Sequence, residues 1–254
     1  MSEFWYTVYT MQDTYGSSYQ SFSLFDGTHL FWLLLTAAIC ATGALLYKKV
    51  SDKTRRRVNI ILAVVILLVE TSRQIIIVST GQWRPETLPL HLCSVNIFVC
   101  LWYAIKPNKL AANILYSLCL PGAAVALLSP SWLALPITNF FHINSEALHI
   151  LLFLYPILLL SGGFQPDIRE LPKVLVCLFG ACLIIYPLNK LIGTNFMFLN
   201  GAHSNAITSV CASIFGDDYY LIGFALILAA VLVVLYLPFV ILDKLRSGES
   251  KGNA

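Results

Sequence analysis

Glu70 stands in the middle of an apolar stretch of helical length, Val58 to Thr80, with Arg73 and Gln74 following it. The i, i+3, i+4 spacing puts all three on one helical face. A charge at membrane depth is costly, turns to the protein interior and needs a partner. Glu70 and Arg73 therefore read either as a structural ion pair or as part of a working site. A second face carries His142, Glu146 and His149, with Ser145 beside them. A carboxylate so placed is spaced to orient an imidazole, the relation a general base needs, and histidine suits proton transfer near neutrality. The bland readings are a hydrogen-bonded packing histidine at 149 and a wet interface at 142 and 146.

His91 and Cys93 open another apolar run, Leu88 to Ile105. A nucleophilic thiol needs a nearby base or cation to stabilise its thiolate. Two residues apart on a regular helix these groups lie roughly 200° around the axis and cannot meet; an unwound entry after Pro89 changes that. Alone, Cys93 is equally a small packing residue. Lys190 closes a later apolar run and, with Arg73, is a candidate anion site for a phosphate or an oxyanion. His91, His142 and His149 follow neither HxxxH nor HExxH spacing, so no metal and no cofactor is expected.

These groups need elements to position them. The 254 residues are 58% hydrophobic and 11% charged, whereas soluble domains carry roughly 25% charged residues. Mean hydropathy is +0.76. A crossing takes about 20 apolar residues, and seven segments approach that length: His29–Tyr47, Val58–Thr80, Leu88–Ile105, Leu110–Leu128, Ser145–Ser161, Pro172–Leu191 and Tyr220–Leu242. Lysine and arginine cluster at 48–57, at 106 and 109, at 169 and 173, and at 244, 246 and 251, which is 13 of the 16 such residues. The positive-inside rule then sets the N-terminus outside and the C-terminus in the cytoplasm. The expected fold is an all-α, seven-helix polytopic bundle over 25–243, between an exoplasmic lead (1–24) and a cytoplasmic tail (244–254).

In that topology Arg73 and Glu70 lie about 10 and 15 Å below the outer end of their helix, His91 and Cys93 about 5 to 8 Å down, and His149 about 9 Å in. Lys190 and Asn189 close the sixth crossing at the same side. Four crossings thus bring polar groups to the outer half of the bilayer. The lead has no basic n-region and does not read as a cleavable signal peptide. Asn195, Asn200, His203 and Asn205 favour irregular backbone in the loop 193–219. Seven cysteines, six inside apolar runs and none in a CxxC pair, give no disulfide pattern. The basic residues serve topology, so no nucleic-acid partner is expected.

Leu24-Phe25-Asp26-Gly27-Thr28-His29-Leu30, Glu70-Thr71-Ser72-Arg73, Leu88-Pro89-Leu90-His91-Leu92-Cys93-Ser94 and Asn139-Phe140-Phe141-His142 through His149 resemble the bacterial YwaF-like integral membrane family, related to the eukaryotic transmembrane protein 164 family. The resemblance covers about residues 24 to 240. The eukaryotic relatives are regarded as phospholipid acyltransferases that use a cysteine and a histidine. That implies acyl transfer on membrane lipids in the cell membrane, with His149 matching the histidine and Cys93 the nearest counterpart of the nucleophile. The relatives read Pro-Cys-His where this chain reads Pro89-Leu90-His91-Leu92-Cys93, so either the nucleophile is displaced or it is absent. Two other classes fit the same residues: a small-molecule or proton-coupled transporter, and a receptor-like ligand-binding protein. Oligomeric state is not legible.

Overall fold

The computed structural model describes residues 2–202 and 205–252, with side chains described as far as 241. His203 and the side chains of Lys244, Arg246 and Lys251 lie outside the described residues. Within them the chain is helical, with α1 (Val8–Tyr15), α2 (Gly27–Lys49), α3 (Asp52–Ser79), α4 (Leu92–Ile105), α5 (Lys109–Ile114), α6 (Leu120–Leu128), α7 (Phe140–Ser161), α8 (Leu171–Ile192), α9 (Ala206–Phe215) and α10 (Tyr220–Gly252). Seven stretches are long and apolar enough to cross a membrane: α2, α3, the Pro85–Ile105 segment containing α4, the Lys109–Leu128 segment, α7, the Ile168–Ile192 segment and α10.

The helices start where side chains can satisfy their first free amides. Asp26 accepts from the His29 amide at 2.9 Å, Asn108 from Ala111 at 2.9 Å and Asn139 from Phe141 at 2.7 Å. The Asn139 cap makes the fifth crossing begin at Phe140 rather than Ser145, which brings His142 inside the helix. Between α5 and α6, Leu115–Cys119 is a π turn. It precedes Pro121, whose missing N–H and bulky ring disrupt a regular i→i−4 ladder.

α7 is the hub, packing against α2, α3, α4 and α6. The α7 and Lys109–Leu128 crossings are 56% and 61% buried, against 11% for α8 and α10, so side chains on α7 sit at the centre of the bundle. Tyrosine hydroxyls inside it are satisfied locally, as hydrocarbon favours: that of Tyr155 donates to the carbonyls of Asn59 and Cys100, and that of Tyr236 to Asn113 Oδ1. Leu34, Leu183 and Leu191 on the outer faces are among the most exposed apolar residues, as lipid-facing positions should be.

Two segments outside the crossings are built. The lead folds over the end of α3 and the 129–139 loop: Gln82 Oε1 accepts from the Thr7 amide at 2.8 Å, Asn139 Nδ2 donates to the Glu3 and Tyr6 carbonyls, and Arg84 pairs with Asp13. The loop 193–219 contains α9, capped reciprocally by Asn205 and Thr208. The asparagine there caps a helix instead of breaking one. α9 packs on α10 so closely that a Cβ on Gly223 would meet Phe215 Cδ2 at 2.8 Å and Cys211 Cβ at 3.0 Å. Gly223→Ala is therefore expected to cost about 1–3 kcal/mol, read as a lower thermal midpoint in detergent.

Candidate functional site

The C-terminal end of α3, the start of α4 and the N-terminal half of α7 meet beneath the lead. Glu70 is 6% exposed. Its Oε1 accepts from Arg73 Nη1 at 3.2 Å and from Gln74 Nε2 at 2.7 Å, and Gln74 also donates to the Thr87 carbonyl at 3.0 Å. Glu70 Oε2 is buried with no hydrogen-bond partner among the described residues. The bond to Glu70 is the one hydrogen bond Arg73 makes among those residues. Most of its five N–H donors remain available to a ligand.

Three charges act on the side chains of this site: Arg73, Glu70 and, on His149, also Glu146. His91, His149 and Cys93 each lie within Coulombic range of Arg73; Glu70 is in range of His149 and Cys93, and His91 of His149. Three crossings thus converge on one charge pair.

Hydrogen bonds assign the histidine tautomers. His149 Nδ1 sits 2.8 Å from the Ser145 carbonyl, which can only accept, so Nδ1 carries a proton and in the neutral ring Nε2 keeps its lone pair. No hydrogen bond reaches His149 Nε2 among the described residues. His91 is the reverse. It precedes the first turn of α4, and its Nδ1 accepts from the Met197 amide at 3.3 Å, which leaves the proton of the neutral ring on Nε2. One histidine therefore offers a base and the other a donor.

The expected role of Glu146 changes. It does not reach His149 directly: Oε1 accepts from Trp132 Nε1 at 3.0 Å, and the Trp132 ring stacks on His149 with centroids 5.0 Å apart at 22°. The group that orients His149 is its own helix's carbonyl at 145. Glu146 faces His142 instead, with Oε1 3.9 Å from Nε2, and both residues are at most 1% exposed. His142 Nδ1 is bonded to the Leu135 carbonyl, and its Nε2 and Glu146 Oε2 are buried with no hydrogen-bond partner among the described residues. Lys190 stands apart on the exposed side of α8, with its ammonium over the Tyr186 ring. Among the described residues no three His, Cys, Asp or Glu side chains are grouped to hold a metal.

Sequence spacing did not reveal Trp132, in the non-helical segment between α6 and α7, or that residues 193–201 form a strap against His91. Asn189, fully buried at the end of α8, donates to the Phe196 carbonyl and accepts from the Phe196 amide, both at 2.9 Å, and from Thr194 Oγ1 at 3.0 Å. Met197 and Phe198 then take φ of 56° and 58°, a region non-glycine residues seldom enter. They present the Met197 amide, and rings 196 and 198, to His91. Asn189→Ala leaves buried backbone groups unpaired, at about 1–3 kcal/mol. Amide exchange at Phe196 and Met197 should then rise about tenfold or more.

Seven apolar crossings around a buried polar centre define a multi-pass integral membrane protein. A profile of the TMEM164 family matches residues 24–236, a span that includes every group described above from Glu70 to Lys190, and the chain belongs to that family. Searches of curated proteins and of solved structures found no match. Within the matched span, Asp26 and His29 have a structural task. His29 Nδ1 accepts from the Phe25 amide, and Nε2 is 2.8 Å from the Leu127 carbonyl, tying α2 to α6.

Proposed function

We propose that the chain is a membrane-lipid acyltransferase of the cell membrane, with its N-terminus outside and its polar site in the outer half of the bilayer. The observation that carries this reading is the fixed tautomer of His149, whose unpartnered Nε2 lies in the field of Arg73. A base with its other nitrogen tied to a carbonyl is ready to take a proton from a thiol or hydroxyl.

The reaction has two balanced halves. His149 Nε2 takes the Cys93 S–H proton, and the sulfur attacks the ester carbonyl of a donor lipid. The C–O bond breaks, the protonated His149 returns that proton to the departing alkoxide, and the acyl group rests on sulfur. An acceptor hydroxyl then gives its proton to His149 and attacks the thioester. The thiolate leaves and recovers the proton. His91 Nε2–H is suited to stabilise the oxyanion, and the remaining Arg73 donors to hold the lipid phosphate. Glu146 acts behind the site through Trp132, and His142 through the ring of Phe22 in the lead.

The test is the lipidome of cells lacking the chain, complemented with wild type, Cys93→Ser or His149→Ala. Wild type should reverse the change caused by the loss, and neither variant should. Full reversal by both ends the enzyme assignment. Reversal by Cys93→Ser alone means His149 activates the acceptor directly, without a thioester.

A further inference from the structure

The opposite end of the bundle holds a cavity of about 420 Å³, between the C-terminal ends of α2, α4 and α7 and the start of α3. Arg55 builds it. Its Nε donates to the Tyr47 carbonyl at 3.2 Å, Nη2 to Lys48 at 2.9 Å, and Nη1 to Gly162 and to Asp52, both at 3.1 Å. One guanidinium thus caps two helix C-termini and locks them against α3. Gly162 permits the closure, since a Cβ there would meet Tyr47 Cε1 at 2.7 Å.

Inside the cavity, Asn59 is 9% exposed. Its Oδ1 accepts from the Tyr47 hydroxyl at 2.9 Å, and its Nδ2 has no acceptor among the described residues. An amide donor that opens on a cavity and has no protein acceptor is free to bond a ligand's oxygen. The Tyr103 hydroxyl, on another wall, also has no hydrogen-bond partner among the described residues, and the exposed Arg56 completes the rim. The carboxylate nearby, Asp52, is engaged by Arg55. Leu159 and Phe164 make the remaining side apolar. An amide donor, a hydroxyl and a cation facing one opening suit a phosphate oxygen cluster, and the apolar wall suits a hydrocarbon chain attached to it.

We propose that this cavity is a second binding site, for the phosphate ester of an anionic phospholipid. It shares no residue with the His149 cluster and stands or falls independently of acyl transfer. The test is native mass spectrometry of the full chain in detergent. The chain carries Glu70→Gln/Arg73→Gln so that the other end contributes no anion site. Titration with phosphatidylglycerol should give a saturable adduct, and diacylglycerol with the same chains should not. Adding Arg56→Gln and Tyr103→Phe should weaken the adduct about tenfold, the loss of one or two charge-assisted bonds, with the thermal midpoint unchanged. Arg56→Lys should retain it. Displacement by glycerol 3-phosphate would support the phosphate chemistry and add soluble esters as a source. Equal retention of diacylglycerol, or an adduct indifferent to the double substitution, overturns the site.

Discussion

Replacing His149 by alanine should lower acyl transfer by roughly 10²- to 10⁴-fold, the contribution a positioned general base makes. The argument rests on two nitrogens with different fates. Nδ1 is spent on the Ser145 carbonyl, which leaves Nε2 as the acceptor, and the ring is held flat against Trp132. The measurement is the initial rate of transfer from a labelled acyl donor in proteoliposomes, together with hydroxylamine-labile label on the protein. Wild type should carry label that Cys93→Ser loses, and His149→Ala should neither charge nor turn over. His142→Gln, at a ring bonded to the Leu135 carbonyl, should retain most of the rate. A His149→Ala rate within threefold of wild type would remove the base from the mechanism.

The second large effect is on stability. Arg73→Gln leaves the Glu70 carboxylate, nine-tenths buried, with Gln74 as its remaining donor. Breaking a buried pair from one side costs about 3–5 kcal/mol, because the remaining charge has lost its compensation. The Arg73 side chain is 26% exposed, so the lower end, about 3 kcal/mol, is expected. Glu70→Gln/Arg73→Gln should recover most of that loss, since a neutral amide needs no cation. The cycle of four proteins, compared by thermal unfolding in one detergent, isolates the coupling. Purely additive losses would mean the two side chains do not share an environment.

The crossings and the Glu70–Arg73–Gln74 face were legible because apolar length and helical period are local properties. The convergence of α3, α4 and α7 followed from topology, which fixes depth but not rotation about each helix axis. Rotation decides partners. On spacing alone Glu146 could serve His142 or His149 equally, and packing set it 3.9 Å from the His142 ring while tying it to His149 only through Trp132. Lys190 shares its level with the cluster but sits on the outer side of α8. Trp132 escaped because it lies in a non-helical connection with no periodic signature, and Asn189 was placed at the right level without the strap partners that return from it to His91. Asn205 illustrates the same limit, since asparagine favours turns and helix caps alike, and only the following apolar run distinguishes them.

Ring ¹⁵N spectra of histidine-labelled protein, comparing wild type with Glu70→Gln/Arg73→Gln, ask most directly whether separate crossings share one polar chamber. The signals of both His91 and His149 should move, while His29, fixed between Phe25 and Leu127, stays in place. Should either His91 or His149 keep its wild-type signal, the charge pair and that ring do not face each other, and the proposed chemistry has no site.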